Sequence, residues 1–241
     1  MKHIYSLALL AGIFAVTTQC KYLDDFERGN GNIISDKRSI GEFNSLKIGG
    51  NFEVTLVHHE NPSINIITDE NLISFIDTEI IESQLYITQK KKLFSRSKIK
   101  LVIRYSELEE VKVMGAALLK NEGVIKQDEL EIRMEGAGMI DLLIESKSLK
   151  VVLSGAGIVK LEGETDFQNL NLAGAGKLEA YYLESKSCEI AVGGIGGAKI
   201  YVTEKLDATI EGIGGIEYRG NPENVTTEIS GLGTIRESND F

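Results

Sequence analysis

The sequence predicts an all-β protein, a β-helix-like solenoid preceded by a β-rich N-terminal part. Two observations support this fold class. A Gly-x-Gly motif recurs with a period of about 19 residues, and apolar residues alternate with polar ones between successive motifs. The composition agrees, because the chain has 2 Pro and no Trp and is rich in residues that favour strands.

Each Gly-x-Gly motif is predicted to form a corner between two strands of one coil. The first glycines of the motifs are Gly115, Gly136, Gly155, Gly174, Gly194, Gly212 and Gly231, with steps of 21, 19, 19, 20, 18 and 19 residues. The residue two positions before each corner is apolar, from Val113 to Ile229. One repeat cannot bury this side alone, so stacked repeats are expected to share a core. Glycine suits a corner where chains stack about 4.8 Å apart, and we expect the residue between the glycines to point inward.

A column of charged residues is predicted to fix the register of the coils. Five residues after each corner come Lys120, Asp141, Lys160, Glu179, Lys199, Glu217 and Arg236. The sign alternates along the column, so correctly stacked coils place opposite charges side by side. A slip by one coil would juxtapose like charges, which disfavours it. The alternative interpretation, a row of catalytic or glycan-binding carboxylates, fits this alternation less well.

A phosphate-binding interpretation of the glycines is disfavoured. A dinucleotide motif needs a third glycine and a following helix. After Gly157 the residues from Ile158 to Leu161 instead alternate like a strand. The formal charge of −10 also argues against a nucleic-acid partner.

Residues 1–19 are predicted to be a secretory signal peptide. An apolar run from Ile4 to Val16 is long enough for a signal sequence and short for a membrane span. Cys20 follows and is the predicted lipidation site of a bacterial lipoprotein; signal cleavage nearby without lipidation is the alternative. Residues 20–32 are charged and turn-rich and are predicted to be a flexible tether. These features predict an outer-membrane lipoprotein, on the periplasmic or the surface face, that its lipid anchors to the membrane.

Residues 33–107 are predicted to be β-rich and continuous with the solenoid of residues 108–241. Phe43, "LKIGG" at 46–50, "DENL" at 69–72 and "TEIIESQLYI" at 78–87 precede the glycine-rich coils. This order resembles the putative auto-transporter adhesin, head GIN domain family of Bacteroidota envelope proteins over residues 33–236. The resemblance implies a right-handed β-helix-like fold and an envelope location. It supplies no catalytic residues.

A basic segment stands out from the acidic chain. It contains Lys90, Lys91, Lys92, Arg96, Lys98 and Lys100, with Phe94 between them. Its functional interpretation is contact with an anionic glycan, lipopolysaccharide or a lipid surface. The alternative is a solvated hairpin tip. Both interpretations place it between the strands "QLYIT" and "IKLVIRY".

Three other features carry no evident chemistry of their own. His58 and His59 are adjacent, point to opposite sides of a strand and are poorly placed to share a metal. Cys188 lies in an otherwise largely apolar column and is interpreted as a buried core residue.

Two local carboxylate pairs allow an alternative prediction, in which the protein is an enzyme. Asp141 with Glu145, or Glu162 with Glu164, could serve a polysaccharide-active enzyme on a β-helix scaffold. An envelope scaffold or signalling accessory is a further alternative. The favoured prediction is a non-catalytic envelope protein, an adhesin or glycan-binding solenoid, without a cofactor or metal. Its expected partners are the membrane, through the lipid, and an anionic glycan or another envelope component.

Overall fold

The computed structural model describes residues 26–238 and consists almost entirely of β-strands. The strands are β1 Phe26–Arg28, β2 Ile33–Ser39, β3 Ser45–Gly49, β4 Asn51–His58, β5 Ser63–Asp69, β6 Ile76–Ile81, β7 Gln84–Gln89, β8 Lys92–Phe94, β9 Lys100–Tyr105, β10 Glu110–Val113, β11 Ala116–Glu122, β12 Ile125–Met134, β13 Ala137–Leu153, β14 Ala156–Leu172, β15 Ala175–Val192, β16 Ile195–Ile210, β17 Ile213–Arg219, β18 Asn224–Ile229 and β19 Leu232–Glu237. A 3₁₀ helix spans Glu70–Phe75. Within the described range no helix has the length and hydropathy needed to cross a bilayer.

The C-terminal two thirds form the predicted solenoid. Strands β13 to β16 each run through most of a coil, and each pairs in parallel with the equivalent strand of the next coil. The corners stack in register, so that Gly138 pairs with Gly157 and Gly157 pairs with Gly176. The sequence period therefore equals one coil, and the fold prediction is confirmed.

The N-terminal part is a curled mixed sheet that continues the solenoid ladder. Strand β10 pairs in parallel with β3, and β11 pairs in parallel with β4. Beyond them, β7 and β9 add further parallel pairings, whereas β2, β5 and β6 run antiparallel to their neighbours. The predicted boundary at 107/108 falls between β9 and β10, and the sheet passes through it without interruption.

Inward-facing positions of all coils form one aliphatic core. Leu46 and Val54 in the N-terminal sheet and Ile132 and Val151 in the solenoid are completely buried. Cys188 joins this core, as its column predicted, and burial raises the pKa of its thiol. Each buried aliphatic side chain stabilises the fold by about 1.5–3 kcal/mol. The period-two pattern places these side chains inward, and their burial stabilises the stacked coils.

The residue between the two corner glycines points outward, which corrects the expectation that it fills the corner. Ala156 and Ile195 are exposed, and Leu232 is 71% exposed. The two flanking glycines lie close to the preceding coil, since a Cβ on Gly155 or Gly157 would lie 2.0 or 2.2 Å from the carbonyl oxygen of the equivalent glycine there. Gly138 has φ +128°, which a side chain would disfavour.

The last coil leaves the C-terminal end of the solenoid open among the described residues. β18 pairs only with β16, and β19 only with β17. Val225 and Ile229 lie in columns that are largely buried elsewhere, yet they are 43% and 47% exposed. The apolar side of this coil therefore has no covering layer.

The predicted tether 20–32 is attached to the body over its second half. Strand β1 pairs in parallel with β8. The amide of Gly29 donates to the carbonyl of Phe94 at 2.9 Å, and that of Gly31 donates to the Asp69 carboxylate at 2.6 Å. From Phe26 onward the prediction of a flexible tether is therefore wrong, because backbone hydrogen bonds fix this part of the polar, turn-rich stretch to the body. The predicted signal peptide, Cys20 and the rest of the tether lie outside the described residues.

Candidate functional site

The basic segment is a connection between two parallel parts of the sheet, not the tip of a hairpin. β7 pairs with β3 and β6, whereas β9 pairs with β4 and β5. The strands on either side of the segment are therefore not partners, and the predicted hairpin is wrong. The chain crosses from one side of the coil to the other here, as a solenoid corner requires.

Strand β8 holds the segment against the first described strand, β1. The guanidinium of Arg28 lies 5.4 Å from the Phe26 ring centroid and 5.9 Å from that of Phe94. The two rings are 6.0 Å apart, and Phe94 is 53% exposed. Lys92 pairs in register with Phe26, and Arg96 follows two residues after Phe94. We call Phe26, Arg28, Lys92, Phe94, Arg96 and Lys98 the aromatic–basic patch.

The six basic residues differ in how far carboxylates neutralise them. Lys90 pairs with Asp77 at 2.9 Å, Lys91 with Glu27 at 3.2 Å and Lys98 with Glu53 at 3.6 Å. Within residues 26–238, none of the other three, Lys92, Arg96 and Lys100, has a carboxylate oxygen within 4.0 Å, and all three are exposed. Half of the predicted cations thus keep their charge available to an anion.

A buried carboxylate fixes the middle of the segment. Asp69 is 2% exposed and accepts hydrogen bonds from the Ser95 hydroxyl and the Gly31 amide. These bonds, led by the one from Ser95, hold the pKa of Asp69 below its usual value, and the charge of Arg96 adds to the effect. The Asp69 carboxylate therefore connects the basic segment, through Ser95, to the first described residues, through Gly31.

A groove of about 300 Å³ runs beside the patch. Phe94, Arg96 and Lys98 line one part of it, and Phe52 and Leu118 line another. Such a combination of cations and apolar surface suits a ligand with both an anionic group and a hydrophobic portion.

A larger polar groove of about 740 Å³ lies along the bend opposite the glycine corners. Glu145, Glu164 and Glu184 stack in register along it on consecutive coils. Exposed lysines line the same groove, and Lys186 lies 2.6 Å from Asp166. In the part of the chain that the structure describes, no three His, Cys, Asp or Glu side chains are grouped to hold a metal ion.

Three of the four carboxylates considered for catalysis, Asp141, Glu145 and Glu162, are paired with lysines. Lys160 lies 3.6 Å from Asp141 and 2.6 Å from Glu162, and Lys126 pairs with Glu145. A general acid needs a raised pKa, which neighbouring lysines oppose. These pairs are therefore consistent with surface ion pairs that join coils.

The alternating charge column stacks as the sequence predicts. Lys120 pairs in register with Asp141, Asp141 with Lys160, and Glu217 with Arg236. Arg236 approaches Glu217 at 2.6 Å, and the carboxylate accepts two hydrogen bonds from the guanidinium. At such exposed positions each pair contributes about 0.2–1 kcal/mol, so its main effect is on register.

The two histidines lie at the exposed end of β4. The ring of His58 meets that of Tyr105 edge-on, with centroids 5.7 Å apart. His59 Nδ1 accepts a hydrogen bond from the Asn61 amide at 3.0 Å and so caps the turn. The two side chains therefore serve local structure.

A cluster of tyrosines around Arg219 was missed by the sequence interpretation. Tyr181, Tyr201 and Arg219 all lie seven residues after a corner glycine, on three consecutive coils. The shared offset of seven residues from a corner glycine was the signal in the sequence that could have revealed the cluster. Tyr182 follows Tyr181 directly.

The protein is a parallel β-solenoid with a curled N-terminal sheet, and it has exposed charged and aromatic surfaces. The chain belongs to the family described as putative auto-transporter adhesin, head GIN domain, whose model matches residues 42–222. This membership confirms the family resemblance drawn from the sequence. The description names an adhesin domain and no enzymatic activity. No match was found among the curated proteins.

Several solved structures share the fold. A putative adhesin from Bacteroides fragilis NCTC 9343 has a TM-score of 0.84 and 25% identity, covering 88% of this chain and 100% of that one. A putative adhesin from Parabacteroides merdae ATCC 43184 has a TM-score of 0.62 and 25% identity over 89% and 99% of the two chains. A structure described as a putative lipid binding protein, from Parabacteroides distasonis ATCC 8503, has a TM-score of 0.69 and 23% identity over 88% and 99%. This last similarity shows the fold alone.

Proposed function

We propose that the chain is a non-catalytic adhesin of the cell envelope, held to the outer membrane by a lipid on Cys20. The aromatic–basic patch contacts the anionic membrane surface beside that lipid. The solenoid projects away from the membrane and presents its faces for binding. Membership of the adhesin family supports the general class, and the position of the patch carries the finer proposal.

The single observation behind this proposal is that the patch is built on the first described strand. Phe26 lies six residues after Cys20, and six residues of extended chain span at most about 20 Å. A lipid on Cys20 would therefore keep the patch within reach of the bilayer surface. The exposed rings and uncompensated cations match the two components of an interface, acyl chains and anionic headgroups.

Charge favours a specific orientation. The chain has a formal charge of −10, so an anionic membrane repels most of its surface. Lys92, Arg96 and Lys100, which lack carboxylate partners among residues 26–238, form a local concentration of positive charge next to Phe94. The body is thus expected to approach the membrane with this segment first.

Vesicle co-sedimentation tests the proposal. The Cys20→Ser chain is used so that a lipid cannot mask the contribution of the patch. It is mixed with phosphatidylcholine vesicles with and without phosphatidylglycerol. We expect binding only to the anionic vesicles, weakening steeply as salt rises and the Debye length falls to about 8 Å at 0.15 M.

Two triple variants with the same change in net charge separate the effect of the basic segment, which includes Lys100, from the effect of net charge. Lys92→Ser, Arg96→Ser and Lys100→Ser together should weaken binding at least about tenfold. The control, Lys126→Ser, Lys147→Ser and Lys186→Ser, removes three cations from the polar groove and should bind as the parent does. Equal loss in both variants, or no binding by the parent, would contradict the proposal.

A further inference from the structure

A tyrosine–arginine cluster protrudes from the outer surface of the last coils, away from the aromatic–basic patch. Tyr201 pairs in register with Arg219 on the next coil. The pairing of β15 with β16 shifts register between Ala180 and Glu184. The extra residues of this bulge bring Tyr181 and Tyr182 to the same place, because a bulged strand redirects its side chains.

Arg219 lies at the centre of the three rings. Its guanidinium carbon is 4.7 Å from the Tyr201 centroid and 5.4 Å from the centroids of Tyr181 and Tyr182. Its Nη2 donates to the Tyr181 carbonyl. Its Nε is buried and has no hydrogen-bond partner among the described residues. Because this Nε is buried, a ligand can reach only the Nη end of the guanidinium.

The positive charge of the cluster comes from Arg219 and from Lys199, which the charge column places in register between Glu179 and Glu217. Within residues 26–238 neither Arg219 nor Lys199 has a carboxylate oxygen within 4.0 Å, and Lys199 Nζ instead lies 5.0 Å from the Tyr181 centroid. The nearby carboxylate of Glu217 is already engaged by the Tyr181 hydroxyl and Arg236. These bonds lower the pKa of Glu217 to about 2. An incoming anion would therefore meet Arg219 and Lys199 beside a Glu217 that is already engaged. Two further carboxylates lie in register with the rings: Glu162, which pairs with Lys160, beside Tyr182, and Glu184 beside Tyr201.

Backbone packs against one ring of the platform, and another ring is open to solvent. Gly220 has φ +110°, and a Cβ there would lie 2.7 Å from the Tyr201 ring, so the backbone packs directly against that ring. Tyr182, in contrast, is 67% exposed. An exposed aromatic face on a fixed backbone loses little conformational entropy on binding.

We propose that Tyr182, Tyr201 and Arg219 form a surface platform that binds an acidic saccharide. The C–H face of a pyranose ring stacks on Tyr182, because polarised C–H groups are attracted to the negative face of an aromatic ring. The guanidinium of Arg219 binds the carboxylate of a uronic acid, which suits its planar donor geometry. The proposal extends the proposed adhesin function by assigning a ligand class to a second surface.

Titration calorimetry with the full chain and tetragalacturonate tests the platform, with cellotetraose as the neutral comparison. We expect the wild type to bind tetragalacturonate more tightly than cellotetraose. Tyr182→Ala should weaken tetragalacturonate binding at least about tenfold, and Tyr182→Phe, which keeps the ring, should retain it. Arg219→Gln should remove the preference for the acidic sugar.

An exposed ring elsewhere provides the matched control. Phe94→Ala should leave saccharide binding unchanged, and Tyr182→Ala should leave vesicle binding unchanged. Should Arg219→Gln fail to fold, the exposed Tyr182 variants still decide the question. Vesicle binding without saccharide binding overturns the platform alone; saccharide binding without vesicle binding leaves the platform and overturns membrane docking. Equal binding of tetragalacturonate by Tyr182→Ala and the wild type also overturns the platform.

Discussion

A Cβ placed on Gly155 would lie 2.0 Å from the carbonyl oxygen of Gly136, the equivalent corner of the preceding coil. The same close approach recurs at Gly174, whose Cβ would lie 2.1 Å from the Gly155 carbonyl oxygen. The obstacle is backbone, which cannot move aside without separating the coils. The recurring glycine is therefore a requirement of coil stacking.

Gly155→Ala is expected to destabilise the protein strongly, by more than about 3 kcal/mol, because two coils must separate to admit one methyl group. Gly193→Ala is the matched control, since no atom lies within 4 Å of a Cβ at that position. Chemical denaturation measures both variants. Equal stability of the two variants would contradict the packing account of the corners.

The Asp69 carboxylate is expected to make the β1–β8 region sensitive to acid. Its folded pKa is lowered, chiefly by the hydrogen bond from Ser95. A lowered folded pKa means that its stabilising effect is complete above the unfolded pKa of about 4 and is lost as pH falls through the folded value. The protection factors of the Gly29 and Gly31 amides, which correct for the intrinsic slowing of exchange in acid, should therefore fall as pH falls.

Asp69→Asn should expose these amides at neutral pH and flatten their acid dependence. Asp77→Asn removes an exposed carboxylate that pairs with Lys90 and serves as the control. Unchanged protection in Asp69→Asn would show that the carboxylate does not hold the start of the body.

The open terminal coil should be the least protected part of the solenoid. Among residues 26–238, β18 and β19 each have one strand partner, whereas β14 is paired on both sides. Amides on the unpaired edge exchange by small local openings, while those of β14 require separation of a buried ladder. We expect native-state exchange in β18 to be at least about 100-fold faster than in β14. Comparable protection would indicate that a partner covers the end in solution.

Cys20→Ala should release the protein from the membrane fraction of its host, because a lipid on this residue supplies the main anchor. Mass spectrometry of the N-terminal peptide of the wild type should detect the lipid. A wild-type protein that fractionates as soluble, with no lipid on that peptide, contradicts the lipoprotein proposal.

The fold could be predicted from the sequence because its signals are local and repeat. The apolar column that includes Leu153 and Val192 and the alternating charges from Lys120 to Arg236 follow from a period of two and a fixed coil length. The direction of Ala156 was missed, since the glycines on either side of it carry no hydrophobic signal that marks the inward face of the corner.

The candidate sites were less predictable, since they depend on contacts between distant residues. The segment around Phe94 lies between two strands. A hairpin and a solenoid crossover both have this local sequence pattern, so the sequence could not distinguish them. Its partner strand, at Phe26, lay inside a stretch whose composition indicated a tether. The contact between Tyr182 and Arg219 depends on a bulge. The only indication of that bulge in the repeat pattern was the longer step of 20 residues from Gly174 to Gly194.

The orientation of the body on the membrane tests the central claim most directly. Ser97→Cys, beside the aromatic–basic patch, and Ser230→Cys, at the open end, each receive a fluorophore in the lipidated chain; Cys188 is buried and should not react. Six corner steps place the two ends of the solenoid roughly 30 Å apart. In phosphatidylglycerol vesicles with nitroxide-labelled headgroups, which quench over short distances, the label at residue 97 should be strongly quenched and that at residue 230 little affected. Equal quenching of both labels, or stronger quenching at residue 230, would contradict the account.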